Sequence, residues 1–360
     1  MAEVTNYIDR LVAELCPDGV EYRPLGEIVK IKNGKGYKDF LPGNIPVYGS
    51  GGVMTYVDTF AYDKPTVLIP RKGSLGNLFY LEEPFWNVDT IFYTEIDESC
   101  VIPKYLFYVL KSAELEKLNT AGGVPSLTQK VLNKVLIPVP PLEIQEAIVE
   151  ILDKFTNLEA ELEAELEART LQYEYYRDSL FEALDCPRVP LDSFAKIKNG
   201  KTYKDFGAGN IPVYGSGGIM TYVDRFSYNK PTVLIPRKGS LGNLFYLEEP
   251  FWNVDTIFYT EIDEEQVIPK FLYYFLKTAH LEDLNTAGGV PSLTQKVLNK
   301  VLIPVPSLEE QQRIVDILDR FDALTSSLSE GLPAELAARR SQYEYYRDQL
   351  LTFPRKGEDQ

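Results

Sequence analysis

The pattern of apolar and polar positions predicts one very long helix in the middle of the chain, from Leu142 to about Leu184. Apolar residues recur there at alternating spacings of four and three, which is typical of a helix that pairs with another helix. They are Ile144, Ile148, Ile151, Phe155, Leu158 and Leu162. No proline or glycine interrupts the run. At ~1.5 Å per residue the helix would be roughly 60 Å long, so we expect a strut and not the core helix of a compact domain.

The sequences on the two sides of this helix are nearly the same. Residues 31–140 recur as 197–306 at an offset of 166, and 95 of the 110 aligned positions are identical. Solenoid repeats have periods of about 20–50 residues, so this repeat is the duplication of a whole domain.

Each copy combines short strands with short helices. Aromatic and β-branched runs bounded by proline and glycine predict strands. In the first copy they are Ile45–Tyr48, Thr66–Ile69, Leu78–Tyr80, Ile91–Thr94 and Val135–Ile137. A helix is predicted over Lys104–Leu110, a glycine-containing loop over Asn119–Pro125, and a capping box at Ser126–Gln129 that begins a short helix. The sequence therefore predicts a mixed α/β (α+β) globular domain followed by a long helix, twice.

These elements predict five segments along the chain. They are an N-terminal helix within 1–22, a first globular domain over 23–140, the central long helix over 141–186, a second globular domain over 187–306 and a C-terminal long helix over 307–360. The last helix contains Ser329-Glu-Gly331-Leu-Pro333, and this pairing of glycine with proline should break or kink it, giving a joint at Gly331–Pro333.

The N-terminal helix should complete the second helical region. Residues 9–15 are similar to residues 178–184, which follow the first long helix, and the second long helix ends without such a segment. We expect residues 4–15 to lie near the C-terminus, with Tyr7, Ile8, Leu11, Val12 and Leu15 on one face. The chain would then have a pseudo-two-fold symmetric, ring-like arrangement.

Composition and charge narrow the class of protein. The net charge of −16 argues against nucleic-acid binding only if it is taken over the whole chain, because the charge differs between segments. Residues 141–186 hold 13 acids and 3 bases and residues 307–348 hold 9 acids and 5 bases, whereas residues 25–140 and 187–306 are each about neutral. A local basic face on each globular domain is therefore compatible with the composition.

Membrane, disulfide and metal signals are weak. No stretch approaches the ~18 consecutive apolar residues of a membrane helix, so we expect a soluble, cytoplasmic protein without a membrane partner. Cys16, Cys100 and Cys186 have no paired spacing, which favours reduced structural thiols over a zinc site.

Catalytic signals are weak as well. The single histidine, His280, has Glu114 at the equivalent position of the other copy, which favours an ordinary surface residue. The segment 195–202 lacks the first glycine of a P-loop, and Tyr48–Gly52 lacks the third glycine of a dinucleotide fingerprint and is predicted to be a turn. Pro140–Pro141 lacks the flanking residues of an amino-methyltransferase site. We predict a non-catalytic chain that binds no metal.

A repeated set of polar residues is suited to DNA instead. Glycine lets a backbone approach a phosphate and arginine can fork onto guanine, so the Arg-Lys-Gly-Ser loop is the strongest candidate, with a solvated turn as the alternative. The predicted DNA-binding residues are Lys32, Asn33, Lys35, Tyr37, Lys38, Arg71, Lys72, Ser74, Gln129 and Lys130, repeated as Lys198, Asn199, Lys201, Tyr203, Lys204, Arg237, Lys238, Ser240, Gln295 and Lys296. Gln129 and Lys130 are equally suited to loop geometry, and core packing is favoured over DNA contact for Trp86 and Trp252.

With these motifs in this order, twice, the chain resembles the specificity subunit of a type I restriction-modification enzyme over essentially its whole length. The residues that carry the resemblance are Tyr48-Gly-Ser-Gly-Gly52, Arg71-Lys-Gly-Ser74, Phe85-Trp86, Gly122-Gly-Val-Pro-Ser-Leu127, Ile137-Pro-Val-Pro-Pro-Leu142, Gln145, Ile151-Leu152, Gln172-Tyr-Glu-Tyr-Tyr-Arg177 and Gln342-Tyr-Glu-Tyr-Tyr-Arg347.

The resemblance implies two target recognition domains separated by an antiparallel coiled-coil pair of long helices, each domain reading half of a bipartite double-stranded DNA site. It also implies two modification (methyltransferase) subunits as partners, with restriction (translocase and endonuclease) subunits outside them. S-adenosylmethionine would be bound by the modification subunits and not by this chain. The Leu-Glu-Ala-Glu unit of the central helix resembles the short repeats that tune half-site spacing in the family.

One departure from the family changes the expected target. Family members usually carry two dissimilar recognition domains, whereas these two are near copies, so we expect a palindromic interrupted site. Alternative hypotheses are an orphan or decoy specificity subunit that acts without restriction partners, a coiled-coil scaffold with no DNA role, and a stand-alone nuclease or methyltransferase.

Overall fold

The computed structural model describes residues 2–119, 122–285, 289–325 and 331–357. The chain divides into two compact units, Met1–Glu161 with Leu336–Gln360, and Leu162–Glu335. Each unit contains one copy of the duplicated domain.

The first unit begins with helix α1 and the first domain. Its elements are α1 (Ala2–Leu15), β1 (Tyr22–Pro24), α2 (Leu25–Ile28), β2 (Val29–Asn33), β3 (Ile45–Gly49), β4 (Gly52–Val57), β5 (Thr66–Pro70), β6 (Phe79–Leu81), β7 (Trp86–Asn87), β8 (Ile91–Ile96), α3 (Pro103–Ser112), a 3-10 turn (Leu115–Leu118), α4 (Gln129–Leu132) and β9 (Leu136–Pro138). Helix α5 (Leu142–Glu182) follows and continues into the second unit.

The second domain repeats this order. Its elements are β10 (Arg188–Pro190), a 3-10 turn (Leu191–Ser193), β11 (Ala195–Asn199), β12 (Ile211–Gly215), β13 (Gly218–Val223), β14 (Thr232–Pro236), β15 (Phe245–Leu247), β16 (Trp252–Asn253), β17 (Ile257–Ile262), α6 (Pro269–Thr278), a 3-10 turn (Leu281–Leu284), α7 (Gln295–Leu298) and β18 (Leu302–Pro304). Helices α8 (Leu308–Thr325) and α9 (Gly331–Leu350) complete the chain.

Each domain is built on one antiparallel four-stranded sheet, in the order β2-β8-β5-β6 in the first copy and β11-β17-β14-β15 in the second. All five residues of β5 are buried, as expected for a central strand of consecutive apolar residues. A smaller sheet, β4-β3-β7, lies beside it, with β3 and β4 antiparallel and β3 and β7 parallel. The predicted mixed α/β class and every strand assigned to the first copy are confirmed, with ends that differ by one or two residues.

The first turns of α5 are attached to the domain by hydrogen bonds. The fully buried side chain of Gln145 accepts from the Ile102 amide at 2.9 Å and donates to the carbonyls of Cys100 at 2.9 Å and Pro140 at 2.8 Å. Asp153, two turns further on, accepts from Tyr108 at 2.6 Å. Gln311 makes the same three bonds at the start of α8.

The predicted long helix is confirmed, but its apolar seam is partly wrong. In the first turns the buried apolar residues are Ile144 and Ile148 of the predicted seam and Leu152, which was not part of it, whereas Leu158 is exposed. Spacings of four place these residues on one stripe of a helix that packs on a domain, so the start of α5 follows globular packing and not a coiled-coil repeat. Further along, Phe155 stacks on Tyr346 with ring centroids 5.8 Å apart.

Within the first unit, α5 and α9 run antiparallel. In α5, Phe155 precedes Glu159. Their partners in α9 occur in the reverse order, because Phe155 stacks on Tyr346 and a Glu159 oxygen lies 2.6 Å from the Nε of Arg340. In the second unit, Tyr176 of α5 stacks on Phe321 of α8 at 5.9 Å. Each unit therefore pairs part of α5 with part of a C-terminal helix.

The remaining helix predictions have mixed outcomes. Gly331, at a φ of +79°, begins α9 and Pro333 lies in its first turn, as predicted for the joint; Ser329 and Glu330 lie outside the described residues. Helix α1 shares a core with Leu350 and Leu351 through Ile8, as predicted. Tyr7 and Leu15 are exposed, so the apolar face predicted for this helix is wrong at its two ends.

The predicted capping box is also wrong. The N-cap of α4 is Thr128, whose hydroxyl accepts from the Val131 amide, whereas Ser126 lies two residues earlier, in a β-bridge with Lys72. Residues 120 and 121 of the predicted Asn119–Pro125 loop lie outside the described residues. The three cysteines are unpaired in the structure. Among the helices that the structure describes, none is long and apolar enough to span a bilayer.

Candidate nucleic-acid interface

The sheet topology brings the candidate residues of the first domain to one edge. Strand β8 lies between β2 and β5 and is antiparallel to both, with Asn33 and Ile69 each opposite Phe92. The C-terminal ends of β2 and β5 therefore lie beside the N-terminal end of β8. The loop carrying Lys32–Lys38 and the loop carrying Arg71–Ser74 consequently flank the segment Trp86–Thr90, which we call the hub segment.

The first loop is tied to the hub segment by backbone contacts. The Lys35 amide donates to the Asn87 carbonyl at 2.8 Å, and the indole N–H of Trp86 donates to the Lys35 carbonyl at 3.0 Å. A Cβ on Gly34 would lie 2.1 Å from the Val88 carbonyl oxygen, so only glycine allows this approach. Trp86 also packs edge-on against Phe40, with centroids 4.5 Å apart. Its role is structural, in agreement with the core interpretation, and it holds Lys35 in place.

The second loop is held from both sides. The Arg71 amide donates to the Thr90 carbonyl at 2.8 Å, and the Leu127 amide donates to the Arg71 carbonyl at 2.9 Å. Gly73, at a φ of +86°, donates its amide to the Pro125 carbonyl at 3.0 Å. The segment that precedes α4 is thus joined to the same surface, and Gln129 and Lys130 follow as the first two residues of α4.

The predicted turn at Tyr48–Gly52 is the β3–β4 turn, and it reaches the same hub segment. The Ser50 amide donates to the Thr90 hydroxyl at 3.2 Å, and the Asn77 side chain donates to the Ser50 carbonyl at 3.2 Å. Burial raises the pKa of the Tyr48 hydroxyl above its ordinary value, with a smaller contribution from Tyr56, so this ring is neutral at physiological pH. The turn was not among the predicted contact residues.

The predicted residues divide into two groups by their surroundings. Six side chains in the first copy are exposed, and so are their six equivalents in the second. In the first copy these are Asn33, Lys35, Lys38, Lys72, Ser74 and Lys130. In the second copy they are Asn199, Lys201, Lys204, Lys238, Ser240 and Lys296. Among the exposed lysines, Lys72 has an acidic neighbour, because its Nζ lies 3.9 Å from the Asp89 carboxylate.

The other four are half-buried and have intramolecular contacts. Lys32 lies 3.3 Å from Glu95, and the Gln129 amide donates to the Ile31 carbonyl at 3.1 Å, which supports loop geometry as one role of this side chain.

The Arg71 guanidinium lies over the Phe92 ring at 5.9 Å, with Nη1 3.4 Å from the Asp89 carbonyl. Tyr37 packs on a small apolar cluster that contains Val47.

The second domain reproduces this geometry. Trp252 donates to the Lys201 carbonyl at 2.9 Å, the Arg237 amide donates to the Thr256 carbonyl at 2.8 Å, and the Gln295 side chain donates to the Ile197 carbonyl at 3.1 Å. Half-buried Lys198 lies 3.3 Å from Glu261, and Tyr203 packs on the equivalent apolar cluster. Equivalent backbone contacts therefore position the candidate residues in both domains.

Residues that sequence reasoning left out hold this surface together. Asn87 is buried and its Nδ2 donates to the Ile91 carbonyl at 2.8 Å, which closes the hub segment. Thr90 joins the hub segment to the β3–β4 turn, and the Asp89 carboxylate projects beside Lys72. Their recurrence as Asn253, Asp255 and Thr256 was visible in the sequence, but a duplication preserves structural and functional residues alike. Within the described residues, no three histidine, cysteine or acidic side chains gather in a metal-binding group.

This fold defines a class of protein in which one mixed α/β domain occurs twice, with the long helix α5 after the first copy and helices α8 and α9 after the second. Residues 17–168 and 185–338 match the family model described as the type I restriction modification DNA specificity domain. The chain belongs to this family, and each copy is one of its two target recognition domains.

Individual relatives agree with the family assignment. A putative type I restriction enzyme specificity subunit of Haemophilus influenzae is 31% identical, over 93% of this chain and 96% of that protein. The specificity subunit of an Escherichia coli type I restriction enzyme is 32% identical, over 97% and 98% of the two chains. The crystal structure of a type I restriction-modification S subunit from M. genitalium has a TM-score of 0.62 at 20% identity, covers 92% of this chain and 96% of its own, and shows the shared fold.

The family assignment decides between the hypotheses drawn from the sequence. The predicted specificity subunit is confirmed, and neither a scaffold without a DNA role nor a stand-alone enzyme is favoured. Specificity subunits of type I systems are generally non-catalytic, bind DNA and associate with modification and restriction subunits.

Proposed function

We propose that this chain is the non-catalytic recognition subunit of a type I restriction-modification complex, and that its two domains read the two halves of an interrupted palindrome. The observation that carries the proposal is the identity of the two candidate surfaces: the ten predicted contact residues of the first copy recur unchanged in the second. Identical readers require identical half-sites. Arranged about a two-fold axis they would read opposite strands, as dimeric DNA-binding proteins read palindromic operators.

The differences between the two copies support the same conclusion. The 15 positions that differ spare all ten predicted contacts, and the nearest of them is Gly36, which is Thr202 in the second copy. Several others lie on helix α3, as in the exchange of Tyr105 for Phe271, and α3 follows the C-terminal end of β8, whereas the hub segment precedes its N-terminal end. A difference there changes packing and leaves base contacts alone.

The acidic helices have another role in this proposal. Residues 141–186 and 307–348 carry net charges of −10 and −4, which repel a phosphate backbone. Exposed aromatic side chains occur at equivalent positions, with Tyr175 70% and Tyr345 59% exposed, and amphipathic rings of this kind are enriched at protein interfaces. The helices would set the half-site spacing and dock two modification subunits, which would bind S-adenosylmethionine and carry out adenine methylation; restriction subunits would join that assembly.

Single-molecule methylation sequencing tests the proposal directly. DNA is exposed to this chain assembled with its modification subunit, and the expected result is modification of one interrupted palindrome. Two unrelated half-sites would contradict the shared readout of the two domains. Methylation or cleavage by the purified chain alone would contradict its non-catalytic role, and modification without any restriction activity in the host would favour an orphan subunit.

A further inference from the structure

The carboxylate of Asp89, which lies in the turn before β8, makes few contacts within its own domain. Its neighbours in the hub segment each have a structural contact: Asn87 bonds to Ile91, Val88 is buried, and Thr90 bonds to Ser50. The Asp89 side chain is 64% exposed, and its one described contact is the ion pair with Lys72 at 3.9 Å. An exposed ion pair of this length contributes little to stability.

The same carboxylate opposes the electrostatics of phosphate binding. Lys72 lies 3.9 Å from it, the Arg71 guanidinium lies 3.4 Å from the main-chain carbonyl of the same residue, and the Lys35 backbone bonds to Asn87 of the hub segment. A negative charge placed here repels the DNA backbone that these cations attract, so it weakens non-specific binding. A side chain that weakens phosphate binding on this surface is better suited to face the base edges than the DNA backbone.

The base edges supply the required partner. A carboxylate only accepts hydrogen bonds, and the major groove offers donors at two groups, the exocyclic amines of cytosine and adenine. Aspartate pairs with the cytosine N4 amine, while Arg71, whose guanidinium lies next to the Asp89 carbonyl, matches the acceptor pair of guanine.

We propose that Asp89 and its equivalent Asp255 are specificity-determining residues, each accepting a hydrogen bond from a cytosine amine in its half-site. This inference rests on the proposed function, because it requires that the surface faces DNA. The second copy has the same arginine contact, with the Arg237 Nη1 atom 3.4 Å from the Asp255 carbonyl.

The duplication provides an internal control for the test. Asp89→Asn keeps the shape of the side chain but removes its charge and replaces one acceptor oxygen by an amide donor, so the favoured base changes from cytosine towards adenine, which asparagine binds through two hydrogen bonds. The variant is assembled with the modification subunit and its methylated sites are sequenced. One half-site should lose its cytosine preference at a single position by about five- to 150-fold, the range expected for one direct base contact. The other half-site should stay unchanged, so the palindrome becomes asymmetric. Asp255→Asn should give the same asymmetric site, because the two domains are interchangeable on a palindrome, and the double variant should restore a symmetric site with both positions changed.

Asp63→Asn is the matched control, because it removes one exposed carboxylate from the same domain and Asn229 occupies that position naturally in the second copy. It should leave the target unchanged. If Asp89→Asn and Asp255→Asn raise affinity for all sequences but keep the cytosine preference, the carboxylate only repels phosphate and the inference is wrong. A wild-type complex that modifies no interrupted palindrome would instead contradict the proposed function, before any variant is considered.

Discussion

Replacing Ala61 by serine should stabilise the first domain, because the second domain already contains that serine. The Oδ1 atom of Asn87 is buried and lacks a hydrogen-bond partner among the described residues. In the second copy the equivalent Asn253 oxygen lies 3.0 Å from the hydroxyl of Ser227, which occupies the position of Ala61. The local backbone is the same, since the Ala61 amide donates to the Phe85 carbonyl at 2.7 Å as the Ser227 amide does to that of Phe251 at 2.8 Å.

The magnitude follows from the hydrogen bond gained. A typical intramolecular hydrogen bond contributes ~1 kcal/mol, and an unsatisfied buried acceptor costs ~1–3 kcal/mol. We expect Ala61→Ser to raise the free energy of unfolding of the first domain by about 1–2 kcal/mol, and Ser227→Ala to lower that of the second by a similar amount. Because Asn87 closes the hub segment, the gain lies beside the candidate interface.

Hydrogen exchange measured by mass spectrometry separates the two domains. Peptides that cover β5 and β14 differ in sequence just before these strands, and the amides of Val67, Leu68 and Ile69 are fully buried. Exchange through global opening should slow about 5- to 30-fold in the first domain of Ala61→Ser and stay unchanged in the second. Asp63→Asn, another exchange that occurs naturally between the copies, is the control. Unaltered exchange in both Ala61→Ser and Ser227→Ala would refute the reasoning, because it would mean that the Asn87 oxygen gains nothing from the hydroxyl.

Three other predictions test the helices and the candidate interface. Gln145→Ala should lower the stability of the first domain by about 3–5 kcal/mol, because three buried hydrogen bonds are lost; a decrease below ~1 kcal/mol in urea unfolding would contradict this. Arg71→Ala combined with Arg237→Ala should weaken DNA binding by ~1–3 kcal/mol per site and relax the base preference at one symmetric position of the target. If affinity and base preference stay unchanged in a salt titration, these loops are solvated turns and not DNA contacts. Deleting Leu162–Glu165 removes about one turn, or roughly 6 Å, from α5, so methylation mapping should find unchanged half-sites one or two base pairs closer together. Methylation at the original spacing by a folded variant would exclude the helix as the ruler.

Periodicity and repetition by themselves determined the architecture of this chain. Five of the nine strands described for the first domain, the uninterrupted helix that begins at Leu142 and the helix start at Gly331 follow from local rules of side-chain spacing, glycine and proline. The duplication, the weakness of catalytic signals and the family resemblance also required nothing beyond the order of residues. Local rules failed at Ser126, because Thr128 caps α4 instead, and at Leu158, which is exposed although the apolar spacing placed it in a buried seam.

Only the tertiary structure decided which polar residues share a surface and which are already engaged. The sequence separates Lys35, Arg71 and Lys130 by dozens of positions, and it is the antiparallel placement of β8 between β2 and β5 that brings their loops to the hub segment. Lys32 and Lys35 look equivalent in the sequence, yet one is paired with Glu95 while the other is exposed. Such differences arise from contacts between residues far apart in the chain, and spacing along a single sequence carries no information about those contacts.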